Sequence, residues 1–140
     1  MIPVDANTSK ADANFLKAIG MLEHSDRFLC LCRTIDAPPA VAYIAAAVIL
    51  AMELSGVSWT ALQKTQTHLA ALSIEQLSES AVTIVDGRVL ILPAVVDGAV
   101  RAVAYTVSTM EEIEVGELRH PLVSTIYSLR SFVIAYHDRD

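Results

Sequence analysis

Between Ala37 and Met52 the chain reads APPAVAYIAAAVILAM, without one charged side chain. Proline fixes φ near helical values and lacks only a donor that a first turn leaves unused. Pro38 and Pro39 therefore predict a helix that starts at Pro39 and runs to about Ser55. Between Val41 and Met52 such a helix is apolar on every side. It has to be surrounded by other helices, because no face of it is suited to water. The stretch is shorter than the ~20 residues that span a bilayer, so it predicts a buried central helix and not a membrane span. Gly56 is placed to end it.

The flanking segments supply candidate neighbours. Residues 1–9 are a loose polar tail without the apolar core of a targeting segment, and residues 10–140 are expected to form a single domain. Phe15, Ile19 and Leu22 step at helical spacing. Polar residues 23–26 interrupt, and Phe28, Leu31/Cys32 and Ile35 resume. This is one long helix with a polar patch, or two helices with Ser25 capping the second. Ser58 caps a helix from Trp59 to about Thr67. Ser73 and Gln76 match a capping box for a short helix over Ile74–Ser80.

Residues Val82–Leu92 (VTIVDGRVLIL) predict a β-hairpin. Two β-branched runs flank Asp86-Gly87, and a type I′ turn wants residues that tolerate positive φ at both central positions. Three helices followed by a hairpin is the order of a winged helix. After Pro93 the signals conflict. Val96, Val100, Val103 and Val107 step by four, three and four, which predicts a helix over 94–110. The valine content and a second Asp-Gly at 97–98 suit a further strand. From Pro121 a last helix is expected, with Leu122, Ile126, Leu129, Val133 and Tyr136 on one seam. Together these elements predict a mainly α (α+β) domain: long N- and C-terminal helices, one hairpin, and the element order of a degenerate winged helix.

Charge limits what such a module can do. The net charge is −6, hydrophobic residues make up 54%, and charged residues 19%, below the usual share of about 25%. Between Asp36 and Gly87 the one base is Lys64, against five acids, Asp36, Glu53, Glu75, Glu79 and Asp86. The hairpin adds only Arg88. Lys64 and Arg88 could make weak nucleic-acid contacts, but one or two phosphate contacts carry little affinity. The module is thus a degenerate winged helix used for protein contacts, a small α+β unit of other ancestry, or a DNA reader. With so few charges, some apolar surface is expected to be covered by another chain, as in a homo-oligomer or a complex. The seam Leu122, Ile126, Leu129, Val133 and Tyr136 is the candidate interface.

No motif points to catalysis or to a cofactor. Cys30 and Cys32 lack the second ligand pair of a zinc site and read as free thiols in a reducing, cytoplasmic setting. The four histidines, His24, His68, His120 and His137, fall at no catalytic or metal-binding spacing.

Three parts of the chain carry a family resemblance. They are Phe15–Ile35 (FLKAIGMLEHSDRFLCLCRTI), Leu69–Leu77 (LAALSIEQL) with the hairpin after it, and Val115–Phe132 (VGELRHPLVSTIYSLRSF). In this order they resemble FlhD, the D subunit of the bacterial flagellar master regulator. The long middle helix exceeds the family pattern, and Val89 and Leu90 stand where the family often carries a cysteine. The resemblance implies a helical homodimer that acts in transcription activation, with much of the DNA contact made by a second, cysteine-rich subunit.

The function expected from these features is a non-enzymatic regulatory or adaptor protein, a dimeric subunit that helps control transcription through protein contacts. The alternatives are a secretion or assembly chaperone, and a small ligand-binding domain or enzyme with a pocket near the alanine-rich helix. The charge deficit also predicts that the purified chain does not bind duplex DNA tightly near ~150 mM salt. Fluorescence anisotropy with a labelled duplex checks this, and tight binding at that salt would contradict it.

Overall fold

In the computed structural model residues 25–117 and 124–138 are described, and they form an α+β fold. In chain order the elements are α1 (Asp26–Thr34), α2 (Pro39–Leu54), α3 (Trp59–Ala70), α4 (Ile74–Ser78), β1 (Ala81–Val85), β2 (Val89–Val96), β3 (Ala99–Thr106) and β4 (Glu112–Ile113). A 3-10 turn at Val115–Glu117 precedes β5 (Ser124–Ser128), which runs directly into α5 (Leu129–His137).

The uncharged helix is where its composition requires it. Eleven residues of α2 are buried, from Val41 to Met52 with only Tyr43 half-buried. It contacts α1, α3, α4 and α5, so every other described helix packs on it. Its end is a Schellman motif: Gly56, at φ 84°, donates to the Glu53 carbonyl at 3.0 Å, and Val57 donates to the Met52 carbonyl at 3.1 Å. Ser25 caps α1 by accepting from the Phe28 N–H, and Phe28 and Leu31 of α1 and Ile35 just after it are buried. Ser58 caps α3, and Ser73 with Gln76 closes the capping box of α4. Residues 1–24 lie outside the described residues, and with them the expected polar tail and the stripe Phe15, Ile19 and Leu22.

The expected fold class is overturned by the sheet. In place of one hairpin there is a five-stranded antiparallel sheet in the order β4-β3-β2-β1-β5. The hairpin itself is present. Asp86 and Gly87 hold φ of 52° and 68°, and the Arg88 N–H closes the turn on the Val85 carbonyl at 2.9 Å. However, β1 pairs with β5 on its other side and β2 pairs with β3, so neither strand is free to act as a wing. The would-be recognition helix α4 is five residues long, with Leu77 fully buried. A winged helix with a single hairpin is therefore excluded.

Two expected helices give way to strands for identifiable reasons. Residues 94–110 form the end of β2, β3 and a following turn, because Asp97-Gly98, with φ of 51° and 80°, makes a second two-residue turn between Val96 and Ala99. The long helix from Pro121 is replaced over residues 124–128 by β5, which pairs along the whole of β1. The helix starts only at Leu129, whose N–H donates to the Ser80 carbonyl at 3.1 Å. Between β4 and β5 the chain passes from one sheet edge to the other, and residues 118–123 of that passage are outside the described residues.

One core joins the layers. Val82, Leu90, Leu92, Tyr105 and Tyr127 on the inner side of the sheet meet the residues of α2 and its neighbours. No helix among the described residues is long and apolar enough to cross a membrane. Ala45 and Ala46 are fully buried where α2 meets its neighbours, so a larger side chain there has to displace them. Ala46→Leu is expected to cost about 1–3 kcal/mol by overpacking. Leu54→Ala, at a position 70% exposed, should change stability by less than about 0.5 kcal/mol. Urea unfolding of both variants checks the contrast.

Candidate interaction surface

The strand registers divide the sheet into two faces. Leu90 pairs with Tyr105 and Leu92 with Val103, and these residues point toward the helices. Their neighbours along the strands, Val89, Ile91, Pro93 and Val95 on β2 and Val100, Ala102, Ala104 and Thr106 on β3, point the other way. An antiparallel sheet covered on one side usually alternates apolar inside with polar outside. This outer face does not. β1 adds Ala81, Thr83 and Val85, β5 adds Ser124, Ile126 and Ser128, and β4 adds Ile113, so the outer face carries no charged residue in any of its five strands.

The face opens to solvent most at the far end of the β2–β3 hairpin. β1 pairs with β2 only over Val89–Ile91, whereas β3 pairs with it along its whole length. The end of the hairpin is therefore a two-stranded arm with Asp97-Gly98 at its tip. Val95 and Val100 are register partners on this arm, 43% and 37% exposed. A two-stranded ribbon in water is marginal unless something covers it. Farther from the tip, Pro93 and its β3 partner Ala102 follow, with Pro93 buried and Ala102 exposed, and Ala104 beyond them is fully buried.

The residues expected at an interface are not brought together by one helix. Leu129 and Val133 are buried on α5 in the chain's own core, and Tyr136 is half-buried with its ring 5.0 Å from that of Tyr43. Ile126 belongs to β5, on the outer face of the sheet, and Leu122 is outside the described residues. The two candidate nucleic-acid contacts also have other surroundings. Lys64 Nζ lies 4.8 Å from the centre of the Tyr105 ring, a cation–π contact. Arg88 is exposed after the first Asp-Gly turn, and its carbonyl accepts from the Val107 N–H at 2.8 Å.

Two polar constellations lie on the helix side of the sheet. His68 Nε2 and the Tyr105 hydroxyl are 3.0 Å apart where α3 crosses β3, with Lys64 over the ring of Tyr105. Burial lowers the His68 pKa, the charge of Lys64 lowers it further, and Glu112 opposes both. Burial and then Glu112 raise that of Tyr105. The second is a cleft of about 390 Å3 at the C-terminal end of α2. Ser55, Ser58, Asp86, Thr125 and Tyr127 bring polar atoms to it, between walls of Val57, Ile84, Leu90 and Val107. The Ser55 and Tyr127 hydroxyls are hydrogen-bonded at 3.0 Å, and the burial of Tyr127 raises its pKa. Cys30 and Cys32 are free, and burial raises the Cys32 pKa. Among the described residues no three metal-ligating side chains cluster.

Comparison with protein-family models, curated proteins and solved structures finds no match. Neither membership of a family nor a relative's activity can be carried over to this surface. The outer face was foreshadowed in the sequence only as a surplus of apolar residues over charges. Alternation within Val89–Val96 is hidden, because both faces of that strand are apolar.

The lowered His68 pKa fixes a sign. The unfolded chain takes up a proton near pH 6.5, while folded His68 stays neutral to lower pH, so stability is full above about 6.5 and falls on acidification. His68→Gln is expected to flatten that fall between pH 7 and pH 5, and urea midpoints across this range measure it.

Proposed function

We propose that the protein is a non-enzymatic adaptor, a regulatory subunit that works by holding another protein chain against the outer face of its sheet. The single observation that carries this is the absence of any charged residue from that face, combined with an arm whose valines stand in solvent. A sheet that had only to dissolve would place lysine or glutamate among these positions, where the hydroxyls of Thr83, Thr106, Ser124 and Ser128 are the polar groups present. Val95 and Val100 are exposed side by side on this face, and neighbouring exposed apolar side chains support a contact surface. Control of transcription through protein contacts is the setting proposed for it, on the strength of the flagellar-regulator resemblance and of a charge deficit that disfavours direct DNA binding. The candidate seam on α5 has no part in this, because Leu129 and Val133 are occupied within the chain.

The cleft beside Ser55 and Tyr127 favours a second reading, a small-ligand-binding domain. Its volume lies within the roughly 300–1,000 Å3 of ordinary ligand sites, and its walls are apolar with a few convergent polar groups. A ligand seated there would shift the amide signals of Gly56, Val57 and Gly87 and leave those of Val95 and Val100 unmoved.

Ile91 stands in the middle of the outer β2 row and is only half-buried, so a carboxylate there can reach water. Ile91→Asp is expected to fold and to lose at least about tenfold in the recovery of partner proteins from cell extract, since a buried unpaired charge is strongly unfavourable at an interface. Affinity purification with quantitative mass spectrometry, alongside circular dichroism of the variant, makes the comparison. A folded variant that recovers the same proteins in the same amounts would contradict the proposal.

A further inference from the structure

We infer that the cleft at the C-terminal end of α2 binds a small primary amine, with its ammonium group beside Asp86 and its apolar body on the sheet. The inference rests on the small-ligand reading of that cleft and names the class of ligand.

The floor of the cleft is a row of the sheet's inner face. Thr125 of β5 pairs with Ile84 of β1, and Ile84 pairs with Leu90 of β2, so the three stand side by side. Tyr127 is the next residue of β5 on the same face. The turn between α2 and α3 forms one rim, and the Asp86-Gly87 turn forms the other. Between these rims the apolar walls and a volume of about 390 Å3 suit a short aliphatic chain.

The polar groups are biased toward accepting hydrogen bonds. A hydroxyl has one proton to give. Ser55 gives its proton to the Ala51 carbonyl at 3.0 Å, so the Tyr127 hydroxyl, 3.0 Å from Ser55 Oγ, is the donor of that pair. The buried Tyr127 oxygen keeps only acceptor capacity. The Thr125 hydroxyl and the Asp86 carboxylate have no hydrogen-bonding or ion-pair partner among the described residues. A primary ammonium has three donors and no acceptor, which matches a lining of this kind. A quaternary ammonium has no donor and is held by several aromatic rings, whereas Tyr127 is the one aromatic residue among the described lining.

Charge selects the same ligand. Among the described residues that line the cleft Asp86 is the one ionised group, with no lysine, arginine or histidine beside it. The C-terminus of α2 and the N-terminus of α3 meet at one rim with opposed dipoles, so the sign of the site is that of Asp86. An alkylamine is protonated at neutral pH, as the lysine side chain is. An anion would meet Asp86 with no counter-charge.

Hexylamine, hexanol and hexanoate share one apolar chain and differ in the head group. Titrating each into the isotope-labelled full chain at neutral pH tests the inference. Hexylamine should shift the amide signals of Gly56, Val57 and Gly87 with a Kd of roughly 1 mM, ordinary for so small a ligand. Hexanol should bind at least about fivefold more weakly, and hexanoate more weakly still. Asp86 holds a φ of 52°, which asparagine also tolerates, so Asp86→Asn should fold and bring the affinity for hexylamine down to about that for hexanol. Asp97→Asn removes the same charge from the other Asp-Gly turn and should leave hexylamine binding unchanged. Salt raised to ~1 M should weaken hexylamine and not hexanol. Hexylamine that binds no tighter than hexanol overturns the inference. So does a folded Asp86→Asn variant that still prefers the amine, or a preference in the wild type that salt does not reduce. If hexanol shifts the same signals as strongly as hexylamine, the amine assignment fails alone and the small-ligand reading stands. If none of the three compounds moves them, both fail.

Discussion

Everything in this fold is arranged around a helix that cannot meet water. From Val41 to Met52 only Tyr43 is more than marginally exposed, and that residue is a bridge, its ring 5.1 Å from Phe28 on α1 and 5.0 Å from Tyr136 on α5. Alanine makes the arrangement possible. Small side chains at Ala42, Ala45, Ala46 and Ala47 let four helices approach α2 closely, and close approach is where dispersion contacts accumulate. The same alanines contribute little area each, so the helical layer depends on the sheet for its larger residues, Leu90, Leu92, Tyr105 and Tyr127. One side of the sheet is thus committed to the core, which leaves the chain's remaining apolar surplus on the other.

Local chemistry made much of the helical half legible. A proline start, a glycine end and three serine caps act within a few residues, and each is found where the side chains indicate it. The first Asp-Gly turn was equally plain. The second has the same chemistry at Asp97-Gly98, but the valines around it also satisfy a helical period. The strand separates what that period would have grouped: Val100 faces outward and Val103 inward. No residue near 100 decides between the two. The decision comes from β2, which offers β3 a partner along its full length. β5 is a stronger case. Ser124–Ser128 reads STIYS, with no turn signal described beside it, and its conformation is set by pairing with β1, some forty residues earlier in the chain.

The candidate surface was legible in amount and not in place. A charged share of 19% announced that some apolar area had to be covered. Helical periodicity grouped residues that the fold separates: Leu129 and Val133 fill the interior, Ile126 lies on β5, and the exposed valines Val95 and Val100 lie on β2 and β3. A strand buried on one side and apolar on both gives no alternation to read. Its two faces could be told apart only by knowing which neighbours, Tyr105 or Ala104, stand beside Leu90 and Ile91.

The direct passage from Ser128 of β5 to Leu129 of α5 has a consequence for how the molecule breathes. No linker separates strand from helix, and the Leu129 N–H is tied to the Ser80 carbonyl at the start of β1. Fraying of α5 cannot stop at its own first turn. It withdraws Leu129 and Phe132 from the core and lifts the edge strand from β1 in the same motion. Strand and helix are one opening unit, and amide protons on both should exchange at a common rate. The cost of that opening includes the burial of Leu129, Phe132 and Val133, so the integrity of one sheet edge depends in part on side chains of a helix packed in the core.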